Sequence, residues 1–246
     1  MDLLTARRAF LAFSKTEEHR EKVEKAIEII ESAEPPCLVL YSGGKDSSVV
    51  THLASINAPR PLIIFHWDYG EIFMPRNYEQ ETILMLADLI TDQDGVEIVL
   101  AKRPKSNIEN AEVSHIYGHR AMRGTLAKVI RDFRINTILS SLRAEESNRR
   151  RAWTKRGERF MGVATLHPIA EWKWLDVFSY LASNFLPWHS HYDLRGPIEG
   201  WENLRFASFF DPEMDSFGAT NVDGLLLPRW RWRSAWAANR FEKMNE

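Results

Sequence analysis

Short apolar runs alternate along this chain with longer segments in which apolar residues recur at helical spacing. We interpret the runs as four strands, at residues 37–41, 62–67, 96–100 and 136–141. The segments between them have the pattern of helices and lie at residues 46–56, 76–90 and 106–133, the last interrupted near Gly118 and Gly124. Strands that alternate with helices indicate crossover connections. The pattern therefore predicts an α/β fold with a doubly wound, mostly parallel sheet and flanking helices.

The two ends of the chain lack this alternation. Residues 4–33 carry apolar residues at helical spacing among many charges, which predicts one or two helices, and Pro35 and Pro36 end the region. We expect three parts: an N-terminal helical segment over residues 1–34, an α/β domain over 35–195, and a mainly helical C-terminal extension over 196–246 that packs on the domain.

Composition narrows the possible classes of protein. Lysine and arginine total 32 and aspartate and glutamate total 34, a net charge of −2, so no general attraction to nucleic acid is expected. No apolar run approaches the roughly 20 residues needed to span a bilayer, and the first residues lack the layout of a signal peptide. We therefore expect a cytoplasmic protein without membrane contact. Cys37 is the only cysteine, which leaves no disulfide and no four-cysteine iron–sulfur or zinc site within the chain.

A glycine turn follows the first predicted strand and opens the next helix. It reads Ser-Gly-Gly-Lys-Asp-Ser and begins at Ser42. Gly43 and Gly44 allow positive φ and close approach of a ligand to the backbone, while Lys45 and Ser47 add a charge and a hydroxyl group. The first turn of a helix directs N–H groups toward such a loop, where they stabilise an anion. We therefore predict a phosphate-binding loop, with an ordinary strand-to-helix turn as the alternative.

A second polar segment follows the second predicted strand, where ligands of parallel sheets bind. Asp68 could hydrogen-bond a ribose hydroxyl or help to hold a hydrated metal, and Gly70 follows it directly after the strand. The alternative role of Asp68 is to cap the following turn. His66 lies within the apolar strand, and we expect it to be a core histidine with a hydrogen-bond partner.

A third polar segment follows the fourth predicted strand. Arg143, Ser147 and Arg150 are three or four residues apart and would share one face if the segment were a helix. Arginine side chains match phosphate or sulfate oxygens in a bidentate way, and Glu146 would hold one arginine in place. The alternative is a solvated charged helix.

Together, these segments resemble the phosphoadenosine-phosphosulfate (PAPS) reductase and ATP sulfurylase family of adenine-nucleotide α-hydrolases, within the PP-loop ATP pyrophosphatase superfamily. The glycine turn matches the PP-loop without a departure. Residues 68–75 are similar to the family's Asp-Thr-Gly-x-x-Phe-Pro element, and residues 143–150 to its Arg-x-x-Glu-Ser-x-x-Arg element. Two downstream elements of the family resemble residues 167–181 and 186–194. The resemblance covers about residues 35–195, in order.

The resemblance implies that the α/β domain binds an adenine nucleotide. The phosphate-holding residues would be Ser42, Gly43, Gly44, Lys45, Asp46 and Ser47, with Lys45 and Asp46 as the catalytic pair. Asp68 and Gly70 would lie beside the adenosine. The residues facing the anionic end of the substrate would be Arg143, Glu146, Ser147 and Arg150. The implied cofactors are ATP and Mg²⁺, with no metal site built from protein side chains and no iron–sulfur cluster.

The chain departs from the family's reductases at the nucleophile. Those enzymes attack the sulfonucleotide with a cysteine in a C-terminal Glu-Cys-Gly-Leu-His element, and Cys37, at the start of the first strand, cannot replace it. We therefore expect an ATP pyrophosphatase or adenylyltransferase that cleaves or transfers at the α-phosphate, in sulfur metabolism or nucleic-acid thiolation. Two alternatives remain: a sulfonucleotide reductase that uses an external thiol, and a non-catalytic nucleotide- or nucleic-acid-binding subunit of a complex.

Arginine and tryptophan alternate near the C-terminus, over residues 225–236. This combination can bind a nucleic-acid strand through phosphate contacts and stacking. The alternative is a helix after Pro228 whose tryptophans pack inward. A sulfur-carrying protein is a possible further partner, and the family resemblance suggests a homodimer or a hetero-complex.

Overall fold

The protein is described by a computed structural model that covers residues 1–70, 76–90, 94–105, 111–146, 148–156 and 159–204. The strands are β1 (Cys37–Tyr41), β2 (Leu62–Asp68), β3 (Val96–Lys102), β4 (Thr137–Leu139), β5 (Arg159–Phe160) and β6 (Val163–Leu166). The helices are α1 (Leu3–Phe13), α2 (Glu17–Glu31), α3 (Lys45–Asn57), α4 (Arg76–Leu89), α5 (Ala111–Asp132), α6 (Asn148–Arg156), α7 (Trp174–Ser183) and α8 (Ser190–Glu199). A short 3-10 helix follows at Trp201–Asn203.

The strands form one sheet in the order β3-β2-β1-β4-β6-β5. Every neighbouring pair is parallel except β5 and β6, which are antiparallel. The order reverses direction at β1, because the chain adds β2 and β3 on one side of it and β4 and β6 on the other. Such a reversal opens a crevice at the carboxyl ends of the strands. The prediction of a doubly wound, mostly parallel α/β sheet is therefore confirmed.

Alternate residues of the central strand face two apolar layers, because side chains of a strand point to opposite faces in turn. Cys37, Val39 and Tyr41 belong to the larger layer, which β1 shares with α1, α3 and α7. Leu38 belongs to the smaller layer on the other face, where α5 supplies Leu126. Cys37 is fully buried, as expected for a core residue.

The N-terminal helices are part of the larger layer. α1 packs on α7, and Phe10 of α1 is fully buried among aromatic rings. Its ring stacks on Phe178 at a centroid distance of 5.2 Å and meets the edge of Trp201 at 5.3 Å. Rings in these arrangements add to the stability gained by burial alone. Among the residues described, none of the helices combines the length and apolar character needed to cross a membrane.

The structure differs from the sequence analysis in three local features. The β5–β6 hairpin was not expected, because β5 has two exposed residues and β6 has only four, so neither forms an apolar run. The described part of the helix expected over residues 106–133 is unbroken, from Ala111 to Asp132. Gly118 does not interrupt it; a Cβ at this position would lie 3.1 Å from the Arg103 side chain, so the glycine permits close packing. The third difference concerns Arg143 and is described with the site.

Candidate functional site

The glycine turn lies at the carboxyl end of β1, at the point where the strand order reverses. Gly43 has φ +79°, a conformation that glycine adopts at little cost. A Cβ at Gly43 would lie 2.6 Å from the Thr82 side chain of α4, so the turn also packs too closely for any other residue. Gly44 precedes α3 in an extended conformation and gives it no side-chain cap. The N-cap residue of α3 therefore leaves the first turn of the helix without a side-chain cap of its own.

Serine hydroxyl groups hold the turn in shape. Ser47 Oγ donates to the Gly44 carbonyl at 2.9 Å and accepts from the Ser42 N–H at 3.2 Å. The hydroxyls of Ser42 and Ser47 are 3.0 Å apart, and Ser48 Oγ also donates to Gly44, at 3.1 Å. Ser42 is exposed, whereas the other three residues are buried. The turn is thus held by hydrogen bonds among its own residues, with Ser42 as its exposed serine. Phosphate binding by this turn remains a prediction.

The side chain of Lys45 is directed into the protein. It is 1% exposed, and its ammonium group donates to the carbonyl of Leu204 at 2.8 Å and to Asp46 at 3.2 Å. The ammonium nitrogen also lies 5.6 Å from the centre of the Tyr192 ring. The backbone N–H of Lys45 donates to the Tyr192 hydroxyl at 3.3 Å. Lys45 therefore contacts the segment around α8 through both its backbone and its side chain.

Asp46 joins the turn to the loop after β4. Arg143 Nε donates to Asp46 Oδ1 at 2.6 Å, and the guanidinium group also lies 3.4 Å from the carbonyl of Trp172. Burial alone would raise the pKa of Asp46, but the positive charges of Arg143 and Lys45 hold it below the usual value. Burial would likewise lower the pKa of Arg143, but Asp46 and two neighbouring glutamates raise it. Both groups are therefore ionised at neutral pH.

The third polar segment is arranged differently from the prediction. Its helix, α6, begins at Asn148, so Arg143 precedes the helix and does not share a face with Arg150. The cause is Asp46, which draws the buried guanidinium of Arg143 toward the core. Glu146 accepts from the Arg143 N–H at 3.3 Å and pairs with Arg150, so it does hold one arginine in place. Ser147 lies outside the described residues.

Asp68 and Gly70 lie at the end of the neighbouring strand. Asp68 is the last residue of β2, and its Oδ1 accepts from the Gly70 N–H at 2.6 Å. Gly70 has φ +84°, and no atom of the described residues lies within 4 Å of the position that a Cβ would take. The capping role considered for Asp68 is thus present, and the role beside an adenosine remains a prediction. The rest of this element, residues 71–75, lies outside the described residues.

Several residues around the turn were not anticipated. Tyr192 and Leu204 contact Lys45 from positions about 150 residues further along the chain. Beneath them, Glu81 of α4 accepts from the N–H of Ser190 at 2.6 Å and from its hydroxyl at 2.8 Å, which ties the start of α8 to α4. The sequence offered one signal, the Tyr-Asp pair at Tyr192 in a stretch that resembles the family, but it did not indicate what the tyrosine contacts.

His66 and Cys37 behave as expected of core residues. His66 Nε2 lies 2.6 Å from Glu79 of α4, and Nδ1 lies 3.0 Å from the carbonyl of Tyr41. Burial raises the pKa of the Cys37 thiol to about 11, and the residue begins β1, at the edge of the sheet opposite the turn. The one thiol of the chain is therefore neither ionised nor near the candidate site.

The described residues do not fit a Mg²⁺ site made by the protein itself. Among them, no group of three or more histidine, cysteine, aspartate or glutamate side chains is placed to hold a metal ion. Asp46, the carboxylate beside the turn, has one oxygen on Arg143 and the other on Lys45. Magnesium commonly reaches a site bound to substrate phosphates, with few protein ligands.

Comparison with known proteins gives a consistent result. The family model described as "Phosphoadenosine phosphosulfate reductase domain" matches residues 36–210. No curated protein matches the chain. Among solved structures, PAPS reductase from Candida auris, in a phosphate complex, has 14% identity and a TM-score of 0.51, covering 73% of this chain and 92% of its own. The NH3-dependent NAD synthetase from Campylobacter jejuni has 14% identity and a TM-score of 0.50, covering 73% and 78%. At these identities the two structures show a shared fold.

Proposed function

Because the chain belongs to the phosphoadenosine phosphosulfate reductase domain family, we propose that it binds ATP at the PP-loop and cleaves or transfers at the α-phosphate, releasing pyrophosphate. One observation carries the proposal: the turn from Ser42 to Ser47 lies at the carboxyl edge of the sheet, is held in shape by its serine hydroxyls, and leads into a helix whose N-cap residue, Gly44, has no side chain to occupy the first N–H groups. Backbone N–H groups held in this way stabilise negative charge that develops on phosphate oxygens.

The chemistry assigned to this chain needs only positioning and electrostatics. Attack on the α-phosphorus breaks its bond to the bridging oxygen, and the electron pair leaves with pyrophosphate. The turn and the start of α3 would hold the phosphate oxygens, and the exposed Ser42 hydroxyl would add a donor. Mg²⁺ would arrive with ATP as its counter-ion. The acceptor would be a small molecule or a nucleic acid, in sulfur metabolism or thiolation, and a sulfur-carrying partner would supply any thiol.

Reduction of a sulfonucleotide by this chain's own thiol is disfavoured by the position of Cys37. The thiol begins β1 at the opposite edge of the sheet, and burial raises its pKa to about 11. A thiolate nucleophile has to be ionised and in contact with the substrate. The proposal therefore favours ATP over PAPS as the nucleotide that this site takes.

Calorimetry and product analysis test the proposal. Wild-type protein would be titrated with ATP and with PAPS in the presence of Mg²⁺, and AMP and pyrophosphate would be measured with candidate acceptors. Ser47→Ala removes the hydroxyl that shapes the turn, and we expect it to weaken ATP binding about tenfold. Ser55→Ala, near the other end of the same helix, removes a buried hydroxyl that donates to His52 and Leu89 and is the matched control.

The outcomes separate the possible functions. ATP binding that weakens in Ser47→Ala but not in Ser55→Ala supports the proposal. Preference for PAPS would contradict it and favour a reductase that uses an external thiol. Binding of ATP without release of pyrophosphate under any condition would favour a non-catalytic subunit. Nucleic-acid binding by residues 225–236 remains a prediction, since that segment lies outside the described residues.

A further inference from the structure

The PP-loop is in direct contact with the last described part of the chain. We call residues 190–204, which comprise α8 and the 3-10 helix, the α8 segment. This segment meets the loop only through Lys45 among the contacts described above: the Tyr192 hydroxyl accepts from its N–H, and the Leu204 carbonyl accepts from its ammonium group. The contact joins two parts of the chain that are about 150 residues apart.

The surroundings of the Lys45 side chain are those of a structural contact. The side chain is 1% exposed, and its ammonium group is bonded to a carbonyl at 2.8 Å and to Asp46 at 3.2 Å, over the face of the Tyr192 ring. A buried charge requires such partners, because its desolvation is costly. To reach a phosphate at the turn, the ammonium group would have to give up the bonds that compensate for its burial.

The α8 segment is held at its other end by an independent contact. Glu81 of α4 accepts from the Ser190 N–H at 2.6 Å and from the Ser190 hydroxyl at 2.8 Å. The segment is thus fastened to α4 at Ser190 and to the PP-loop at Tyr192 and Leu204, while Trp201 between them packs against Phe10. Loss of the second contact would leave the first one intact, so the consequences should be local to the loop and to residues near Leu204.

We propose that Lys45 is a positioning residue and not a phosphate ligand: its buried ammonium group fixes the α8 segment against the PP-loop and so sets the first turn of α3. This inference rests on the proposed function for the nature of the ligand, and it replaces the catalytic role that the sequence suggested for Lys45. Phosphate is then held by the backbone of the turn and by its serine hydroxyls. The lysine acts on catalysis only through the geometry it maintains.

Two substitutions at Lys45 distinguish the roles. Lys45→Met keeps the length of the side chain but removes the charge and the donors. Lys45→Gln removes the charge but keeps an N–H donor for the Leu204 carbonyl. Lys25→Met is the matched control, because Lys25 is a lysine on the surface that pairs with Glu171. Each protein would be studied by amide hydrogen exchange without nucleotide, and by calorimetry with ATP over a range of salt concentrations.

A positioning role predicts a specific combination of results. In Lys45→Met, hydrogen exchange at residues 196–204 should become about tenfold faster, and in Lys45→Gln it should lie closer to wild type. ATP affinity in both variants should remain within about threefold of wild type, with an unchanged salt dependence, while turnover falls in Lys45→Met. Tyr192→Phe removes the other acceptor and should speed exchange in the same residues, which keeps the test available if Lys45→Met does not fold.

Two results would overturn the inference. One is unchanged exchange at residues 196–204 in both Lys45→Met and Tyr192→Phe. The other is a loss of ATP affinity of about tenfold or more in both Lys45 variants with a shallower salt dependence, since this is the behaviour of a charged phosphate ligand. If wild-type protein binds no ATP, the proposed function fails, whereas the exchange measurement still decides whether Lys45 holds the α8 segment.

Discussion

Two aspartates, the partly buried Asp46 and the buried Asp176, are held by cations in similar ways but join different parts of the molecule. Asp46 lies between Lys45 and Arg143, at the carboxyl edge of the sheet beside the PP-loop. Asp176 is fully buried in the first turn of α7, where it accepts from the Lys173 N–H at 2.7 Å and from the Lys22 ammonium group at 3.0 Å. The first connects the PP-loop to the loop after β4 at a candidate site, and the second fastens α2 to α7.

The comparison shows that a buried ion pair is not in itself a sign of function. In both places, burial would raise the pKa of the carboxyl group, and in both the nearby cations and donors lower it. What separates the two is what they join, since Asp46 follows a glycine turn at the reversal of strand order and pairs with Lys45 and Arg143. Asp176 lies in the first turn of α7 and pairs with Lys22 of α2. Function should therefore respond to the first aspartate, and stability to both.

The largest expected effect is on turnover of ATP. Asp46→Asn removes the charge that holds Arg143, which is 3% exposed, so the turn and the loop after β4 lose their common anchor. We expect turnover to fall at least about 100-fold, the usual cost of a small displacement of reacting groups. Asp176→Asn should leave turnover within about threefold of wild type in the folded protein. Release of AMP and pyrophosphate at saturating ATP measures both.

The free energies of unfolding of the same two variants show whether a loss of turnover reflects a loss of stability. Leaving a buried cation without its carboxylate costs about 3–5 kcal/mol, which applies in Asp46→Asn to Lys45, 1% exposed, whereas Arg143 retains Glu145 at 3.6 Å. Lys22 is 20% exposed and retains Glu18, so Asp176→Asn should cost less, about 1–3 kcal/mol. Urea unfolding gives both values. Equal losses of turnover in the two variants, measured where both are folded, would remove the distinction between the two aspartates.

The sequence predicted the strands and the PP-loop better than it predicted the side-chain contacts around them. The four main strands and the turn that opens α3 were recognisable, because a buried strand followed by Ser-Gly-Gly is a local pattern. The inward direction of Arg143 could not be predicted, since a run of charges on the surface has the same sequence as one whose first arginine pairs with Asp46. The contacts of Lys45 with Tyr192 and Leu204 depend on how α8 returns to the sheet, which no local pattern encodes.

The backbone beside each aspartate offers a second test. The turn before Asp46 needs Gly43 at φ +79°, whereas Lys173 before α7 is extended, with φ −92° and ψ 167°, which any residue adopts. Gly43→Ala should cost about 1–2 kcal/mol for the left-handed conformation and about 1–3 kcal/mol more because Thr82 has to move. Lys173→Ala should cost less than about 1 kcal/mol, since the N–H bonded to Asp176 is kept.

Gly70→Ala separates the two costs of Gly43→Ala, that of the left-handed conformation and that of the contact with Thr82. Gly70 has φ +84°, and among the described residues none comes within 4 Å of the position that a Cβ would take, so its substitution should cost only the left-handed conformation. Thermal unfolding of the two alanine variants should therefore show Gly43→Ala as the less stable protein. Equal stabilities would mean that Thr82 yields without cost, and that the close packing of the turn against α4 contributes nothing.

The smallest expected effect is on how the free energy of unfolding changes with pH in acid. The pKa of each aspartate is lower in the folded protein than its usual value of 3.8. Each aspartate therefore contributes stability above about pH 3.8, and this contribution is lost as the pH falls through the pKa of the folded protein. The wild type should therefore lose stability as the pH falls below about 4, and the loss should be shallower in Asp176→Asn, which has no proton to gain at that site. Urea unfolding at a series of pH values from about 5 to 3 measures the slopes. A slope in Asp176→Asn as steep as that of the wild type would mean that Lys22 and the Lys173 N–H do not lower the pKa of Asp176 in the folded protein, and the resemblance between the two aspartates would end there.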